Sequence, residues 1–72
     1  MTREEFLVQG IKVLGLDQKK ESILLNNKIR TIGDFLKQTE GSFSLMKGKN
    51  IGTVIGEFLS LHKKMKQELD KL

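Results

Sequence analysis

The chain has 72 residues, 38% of them hydrophobic, and a formal charge of +4 with an isoelectric point near 9.6. That length allows one domain with one small core, burying only about 60% of the unfolded surface. With no cysteine, neither a disulfide nor a thiolate metal site can staple it, and no apolar run approaches the roughly 20 residues of a membrane-spanning helix.

The N-terminus, MTREEF, lacks a basic region followed by an apolar core. No signal peptide is predicted, and the expected location is the cytoplasm. Thr2 and Glu5 stand at capping-box spacing, and Glu4 and Glu5 favour the positive end of a helix. A helix is therefore predicted from Thr2 to about Leu14, with Leu7, Ile11 and Leu14 on one face. Gly10 weakens it by about 1 kcal/mol relative to alanine, and Gly15 is placed to end it.

Asp17 is suited to cap a second helix with Gln18 to Leu25 as its body. Ile23 and Leu24 face the core there, with Leu25 on an adjoining side. Asn26-Asn27-Lys28 ends that helix, since asparagine tolerates left-handed geometry, and Ile29 anchors the turn. Thr31 caps a short helix from Ile32 to about Lys37, with Asp34 in its first turn and Ile32, Phe35 and Leu36 pointing inward. Thr39 to Gly41 reads as a break, and Ser42 to Met46 as one helical turn capped by Ser42. Lys47 to Asn50 is a basic loop. Ile51 or Gly52 opens the last helix, whose apolar positions are Ile51, Val54, Ile55, Phe58, Leu59, Leu61, Met65, Leu69 and Leu72. The apolar runs sit in helical spacing and no strand pattern appears. The expected fold is all-α, one compact domain over residues 1–72 with four or five helices and a long C-terminal helix.

Catalysis is not predicted. His62 is the only histidine, beside Lys63 and Lys64, and reads as a solvated surface residue. Ser60 and Glu57 are merely its helix neighbours, and the acidic residues are scattered, so no metal set and no cofactor are expected. The segment Gly48-Lys49-Asn50-Ile51-Gly52 has two readings. Backbone N–H groups opening a helix hold a phosphate, with Lys47 and Lys49 adding charge, or the glycines simply permit a turn. Asn26 to Asp34 has the same outline with one glycine, so two such turns would contact one duplex. Leu61, Met65, Leu69 and Leu72 form a stripe that docks on the domain's own N-terminal helix or on another chain. Lys63, Lys64 and Lys66 are then a solvated face.

One stretch carries a family likeness. Leu14, Leu16, Asp17, Lys19, Ser22 and Leu24 are followed by Ile29, by Thr31-Ile32-Gly33-Asp34-Phe35-Leu36 and by Thr39-Glu40. This order, without a gap, resembles the C-terminal domain of the bacterial RNA polymerase alpha subunit, over about residues 14–61. Residues 1–13 are then an additional N-terminal helix and residues 62–72 a charged extension. The resemblance implies a compact helical domain with helix-hairpin-helix-like elements that binds the DNA minor groove and contacts transcription regulators. A·T-rich tracts narrow that groove and concentrate negative potential. Two recognition positions depart from the family pattern. Lys19 stands where arginine is usual, keeping charge without the planar fork, and Ser22 stands where asparagine is usual. The family's Gly-Lys-Lys turn aligns with Gly48-Lys49-Asn50, or its Asn-Leu-Gly with Asn50-Ile51-Gly52; the first keeps Ile55, Phe58 and Leu59 on a core face. The chain is either an excised fragment or a stand-alone relative.

Two functions follow as expectations. The first is a non-enzymatic DNA-binding, transcription-associated protein. Its face comprises Lys19, Lys20, Ser22, Lys47, Gly48, Lys49 and Asn50, and its expected partner is duplex DNA, A·T-rich by the resemblance. The second is a protein-interaction module of the same fold that binds RNA polymerase or a transcription regulator, or self-associates, without DNA. Neither involves a membrane, and the chain is expected to be a monomer or weak homodimer.

Overall fold

Short polar side chains, Thr2, Asp17, Thr31 and Thr39, decide where four helices of this protein begin. The structure, a computed structural model, describes residues 1–46 and 51–72. Helix α1, Arg3–Leu7, opens on a reciprocal cap. The Thr2 hydroxyl accepts from the Glu5 N–H at 3.1 Å, and the Glu5 carboxylate accepts from the Thr2 N–H at 2.9 Å. Those two bonds, the backbone one first, hold the Glu5 carboxyl below its ordinary pKa.

The helix predicted to reach Leu14 stops at Leu7. Gly10 is extended and pairs with Thr31 in an isolated antiparallel bridge. The Ile11 N–H donates to the Arg30 carbonyl at 3.1 Å, and the Ile32 N–H to the Gln9 carbonyl at 2.9 Å. Two backbone donors that a local helix would not pair together are thus satisfied across the fold, and Ile11 is buried at 2% exposure. A 3-10 helix, Ile11–Leu14, follows and ends at Gly15, whose φ of 70° is the left-handed conformation its sequence position suggests.

Helix α2, Gln18–Asn26, is capped by Asp17, whose carboxylate accepts from the Lys20 N–H at 2.9 Å. Leu24 is wholly buried and Leu25 is exposed. The exit differs from expectation in one residue. Lys28, not an asparagine, takes the left-handed conformation, with φ 64°. Asn27 instead donates its side-chain amide to the Ile23 carbonyl at 2.7 Å, satisfying one of the acceptors left open at a helix end.

Helix α3, Ile32–Leu36, explains the Thr-Ile-Gly-Asp run residue by residue. Thr31 caps the Asp34 N–H at 3.1 Å, and Asp34 returns its carboxylate to the Thr31 and Arg30 N–H groups at 3.3 and 3.1 Å. Ile32 is fully buried. Gly33 lies where α1 ends: a Cβ there would stand 3.1 Å from the Leu7 carbonyl oxygen. All four residues thus serve helix initiation and packing.

Helix α4 is Glu40–Ser44, earlier than the predicted turn at Ser42–Met46. Thr39 is its cap and Ser42 is the returning partner, with bonds of 3.1 and 2.7 Å. A threonine three residues ahead of the serine outcompetes the serine as the starting cap because both partners are then satisfied. Helix α5, Ile51–Asp70, runs for about 30 Å at 1.5 Å per residue, most of the molecule's 35 Å length.

Helix α1 packs on α3, while α3 and α4 both pack on α5. At their meeting point Phe35, Phe43 and Phe58 are fully buried, with ring centroids 5.5 to 6.5 Å apart in tilted and edge-on arrangements. Those geometries suit the ring quadrupoles. Leu24, Ile29, Met46 and Val54 extend the cluster. Leu61 and Met65 pack against it, so this part of the C-terminal stripe belongs to the domain's own core. Among the described residues the fold is all-α, with the Gly10–Thr31 pair as its only extended bridge.

Candidate nucleic-acid interface

Lys19 and Ser22 lie one helical turn apart on α2 and both are exposed. Asn26, another turn along, is exposed beside them. Lys20, expected on the same face, turns toward α5. Its ammonium lies 2.6 Å from the Glu57 carboxylate and 3.7 Å from that of Asp17, and the side chain is 29% exposed. The Glu57 contact is the main reason its pKa rises above the ordinary lysine value. Lys20 therefore clasps α2 to α5 and has a partner already.

The clasp has a geometric result. Glu57 sits in the second turn of α5, so this one side-chain contact ties the first turn of α2 to the second turn of α5. Gly52 and Thr53, in the opening turn of α5, are exposed. Lys47, Gly48, Lys49 and Asn50, expected to complete this face, lie outside the described residues.

The second turn of the expected pair, Asn26 to Asp34, uses most of its backbone donors internally. The N–H groups of Lys28 and Ile29 close on the carbonyls of Leu25 and Leu24, and that of Ile32 goes to Gln9. Those of Arg30 and Thr31 are taken by Asp34. These bonds lower the Asp34 pKa, the Arg30 N–H contributing most. A carboxylate thus occupies the position at the start of α3 where a phosphate would have to sit. The expectation of two phosphate-holding turns is corrected: at this turn the N–H groups of Lys28 to Ile32 and of Asp34 are already bonded, so an anion would rely mainly on side chains.

His62 is also not the solvated residue expected. Its Nε2 lies 3.1 Å from the Leu36 carbonyl oxygen. A carbonyl only accepts, so Nε2 carries the proton. The ring packs between Phe35 and Phe43 at centroid distances of 5.8 and 5.9 Å. An apolar stripe at 54, 58, 61 and 65 running past position 62 was the available signal; the lysines beside His62 hid it. The role of Glu57 was also missed in the sequence. It is the one acid in the first half of α5, and its partner lies too far away in sequence to be seen.

Among the described residues no three His, Asp or Glu side chains converge as a metal site requires, and no helix is long and apolar enough to cross a membrane. No family model, curated protein or solved structure matches the chain.

Proposed function

We propose that this protein is a non-enzymatic, DNA-contacting domain working in transcription, holding the duplex backbone beside an A·T-rich minor groove. One relationship supports the reading: the exposed Lys19 and Ser22 stand on the helix that the Lys20–Glu57 contact ties to the second turn of α5. The basic segment Lys47-Gly48-Lys49-Asn50 immediately precedes α5 in sequence. Lysines and serine hydroxyls suit phosphate contacts, which position a protein on DNA without reading sequence.

With Lys20 engaged by Glu57, three lysines remain for phosphates: Lys19, Lys47 and Lys49. Each phosphate neutralised contributes about −0.9 to the slope of log K against log salt, so a slope of roughly −3 is expected. The test is an NMR titration of the labelled protein with a short A·T-rich duplex at several salt concentrations. Shifts at Lys19, Ser22 and Lys47 to Asn50 with that slope uphold the reading. No binding at ~50 mM salt, where phosphate contacts are strong, overturns it.

A second reading is favoured by the same clasp and by the closed Asn26–Asp34 turn, both of which reduce the groups available to phosphate. In it the domain binds RNA polymerase or a transcription regulator, or pairs with itself, without DNA. A polymerase pull-down and light scattering, run beside the DNA titration, separate the two.

A further inference from the structure

The Gly10–Thr31 bridge assembles a second basic surface away from the start of α2. It sets Ile11 against Arg30, and so brings Lys12 within a residue of Arg30's backbone partner. Lys28 lies two residues before Arg30. All three cationic side chains are exposed. Among the described residues, no carboxylate pairs with any of them. Two apolar side chains accompany them: Val13, next to Lys12, is 57% exposed, and Leu25, whose carbonyl receives the Lys28 N–H, is 45% exposed.

Lys28 adds an independent sign. It holds a left-handed backbone that glycine or asparagine adopts more easily. A side chain kept at a strained position, and turned to solvent, points to use of that side chain.

Two kinds of anionic partner fit three cations. Phosphate recognition is poorly served, because the backbone N–H groups of Lys28 to Ile32, which a phosphate would use, are spent internally. The exposed valine and leucine have no role against a phosphate backbone, but they match the apolar residues of a polypeptide. We propose that Lys12, Lys28 and Arg30, with Val13 and Leu25, form a docking surface for an acidic amphipathic segment of another protein. Charge complementarity sets the sign and speed of encounter, and the apolar pair supplies contact area. This surface shares no residue with the Lys19–Ser22 stripe, which it adjoins through Leu25 one helical turn beyond Ser22, and it does not depend on the DNA reading.

The test uses the full labelled chain and three probes: a synthetic amphipathic peptide with glutamates on one face and leucines on the other, its glutamine-for-glutamate counterpart, and an A·T-rich duplex. The acidic peptide is expected to shift the amides of Lys12, Val13, Leu25, Lys28 and Arg30, and its glutamine counterpart to bind more weakly. Lys12→Ser, Lys28→Asn and Arg30→Gln combined should weaken peptide binding about tenfold, as three exposed charge contacts allow. Such a variant should leave the helical circular dichroism signal unchanged and duplex-induced shifts at Lys19 intact. Absence of shifts at these residues, equal binding of the glutamine peptide, or tighter binding of the duplex at this same surface overturns the proposal. Loss of duplex binding at Lys19 alone bears only on the DNA reading.

Discussion

The proton on His62 Nε2 joins the last helix to the end of α3, through a 3.1 Å bond to the carbonyl oxygen of Leu36. Leu36 closes α3, where carbonyls lack partners within their own helix. His62 therefore satisfies an acceptor and fills the space between two phenylalanine rings in one placement. Replacing it by alanine should cost about 2 kcal/mol, from a lost hydrogen bond and lost ring contacts. Urea denaturation followed by circular dichroism measures this; a cost within error of zero would contradict the assigned role.

Glycines 33 and 56 should respond to alanine with opposite signs. A Cβ at Gly33 meets the Leu7 carbonyl oxygen at 3.1 Å, whereas one at Gly56 meets nothing within 4 Å. Gly33→Ala should destabilise by about 1 kcal/mol through overpacking against backbone. Gly56→Ala, in the interior of α5, should stabilise by about 0.5–1 kcal/mol. In a domain of this size each kcal/mol moves Tm by about 4–8 °C, which thermal melts resolve.

Acid should weaken the fold partly through Asp34. Its folded-state pKa is depressed, chiefly by the Arg30 N–H. The stability it contributes is present above the ordinary aspartate pKa and is lost as pH falls through the depressed folded value. Midpoints of urea unfolding taken across the acid range should fall in that window. Asp34→Asn keeps an acceptor without the titration, so its acid limb should be shallower. An identical limb in both proteins would show that Asp34 is not responsible.

Lys20 provides a test of the proposed duplex-binding surface with a gain rather than a loss. Under the DNA proposal, Glu57→Gln removes the charge of the 2.6 Å partner of the Lys20 ammonium and leaves the 3.7 Å Asp17 carboxylate as its one charged contact among the described residues. Duplex binding should tighten at low salt, and the salt slope should steepen by about 0.9 for one added phosphate contact. Lys20→Ala in the native background should change the slope little. Equal slopes for Glu57→Gln and the native chain would count against Lys20 being near the duplex.

Lys28→Gly removes the cost of a side chain at φ 64°. The expected outcome is a gain of about 1 kcal/mol in unfolding free energy, read by the same denaturation experiment. A loss of stability would mean that the lysine stem contributes packing that outweighs the strain.

Much of this fold is legible because its signals are local. The Thr2–Glu5, Asp17 and Thr31–Asp34 caps and the Gly15 stop each involve residues within one turn, and a sequence displays them directly. The misplaced features depend on distant partners. Gly10 leaves the helix because Thr31 is available to pair with it. His62 is drawn inward by Leu36, and Lys20 by Glu57. The start of α4 is a different case: Thr39 and Ser42 are both plausible caps, and only the returning bond between them decides. The candidate interface was half readable for the same reason. Lys19 and Ser22 are exposed at their expected positions, while the turn at Asn26–Asp34 was closed by bonds that composition does not reveal.

The Gly10–Thr31 pairing also decides where this protein can be cut. The family-like stretch starts at Leu14, and a fragment trimmed to that point looks complete by its motifs. It would leave the Ile32 N–H and the Arg30 carbonyl without the Gln9 and Ile11 groups that satisfy them. It would also remove Ile11 from the core and Leu7 from beside Gly33. The first thirteen residues are structurally part of the hairpin between α2 and α3, and the smallest unit worth expressing includes them.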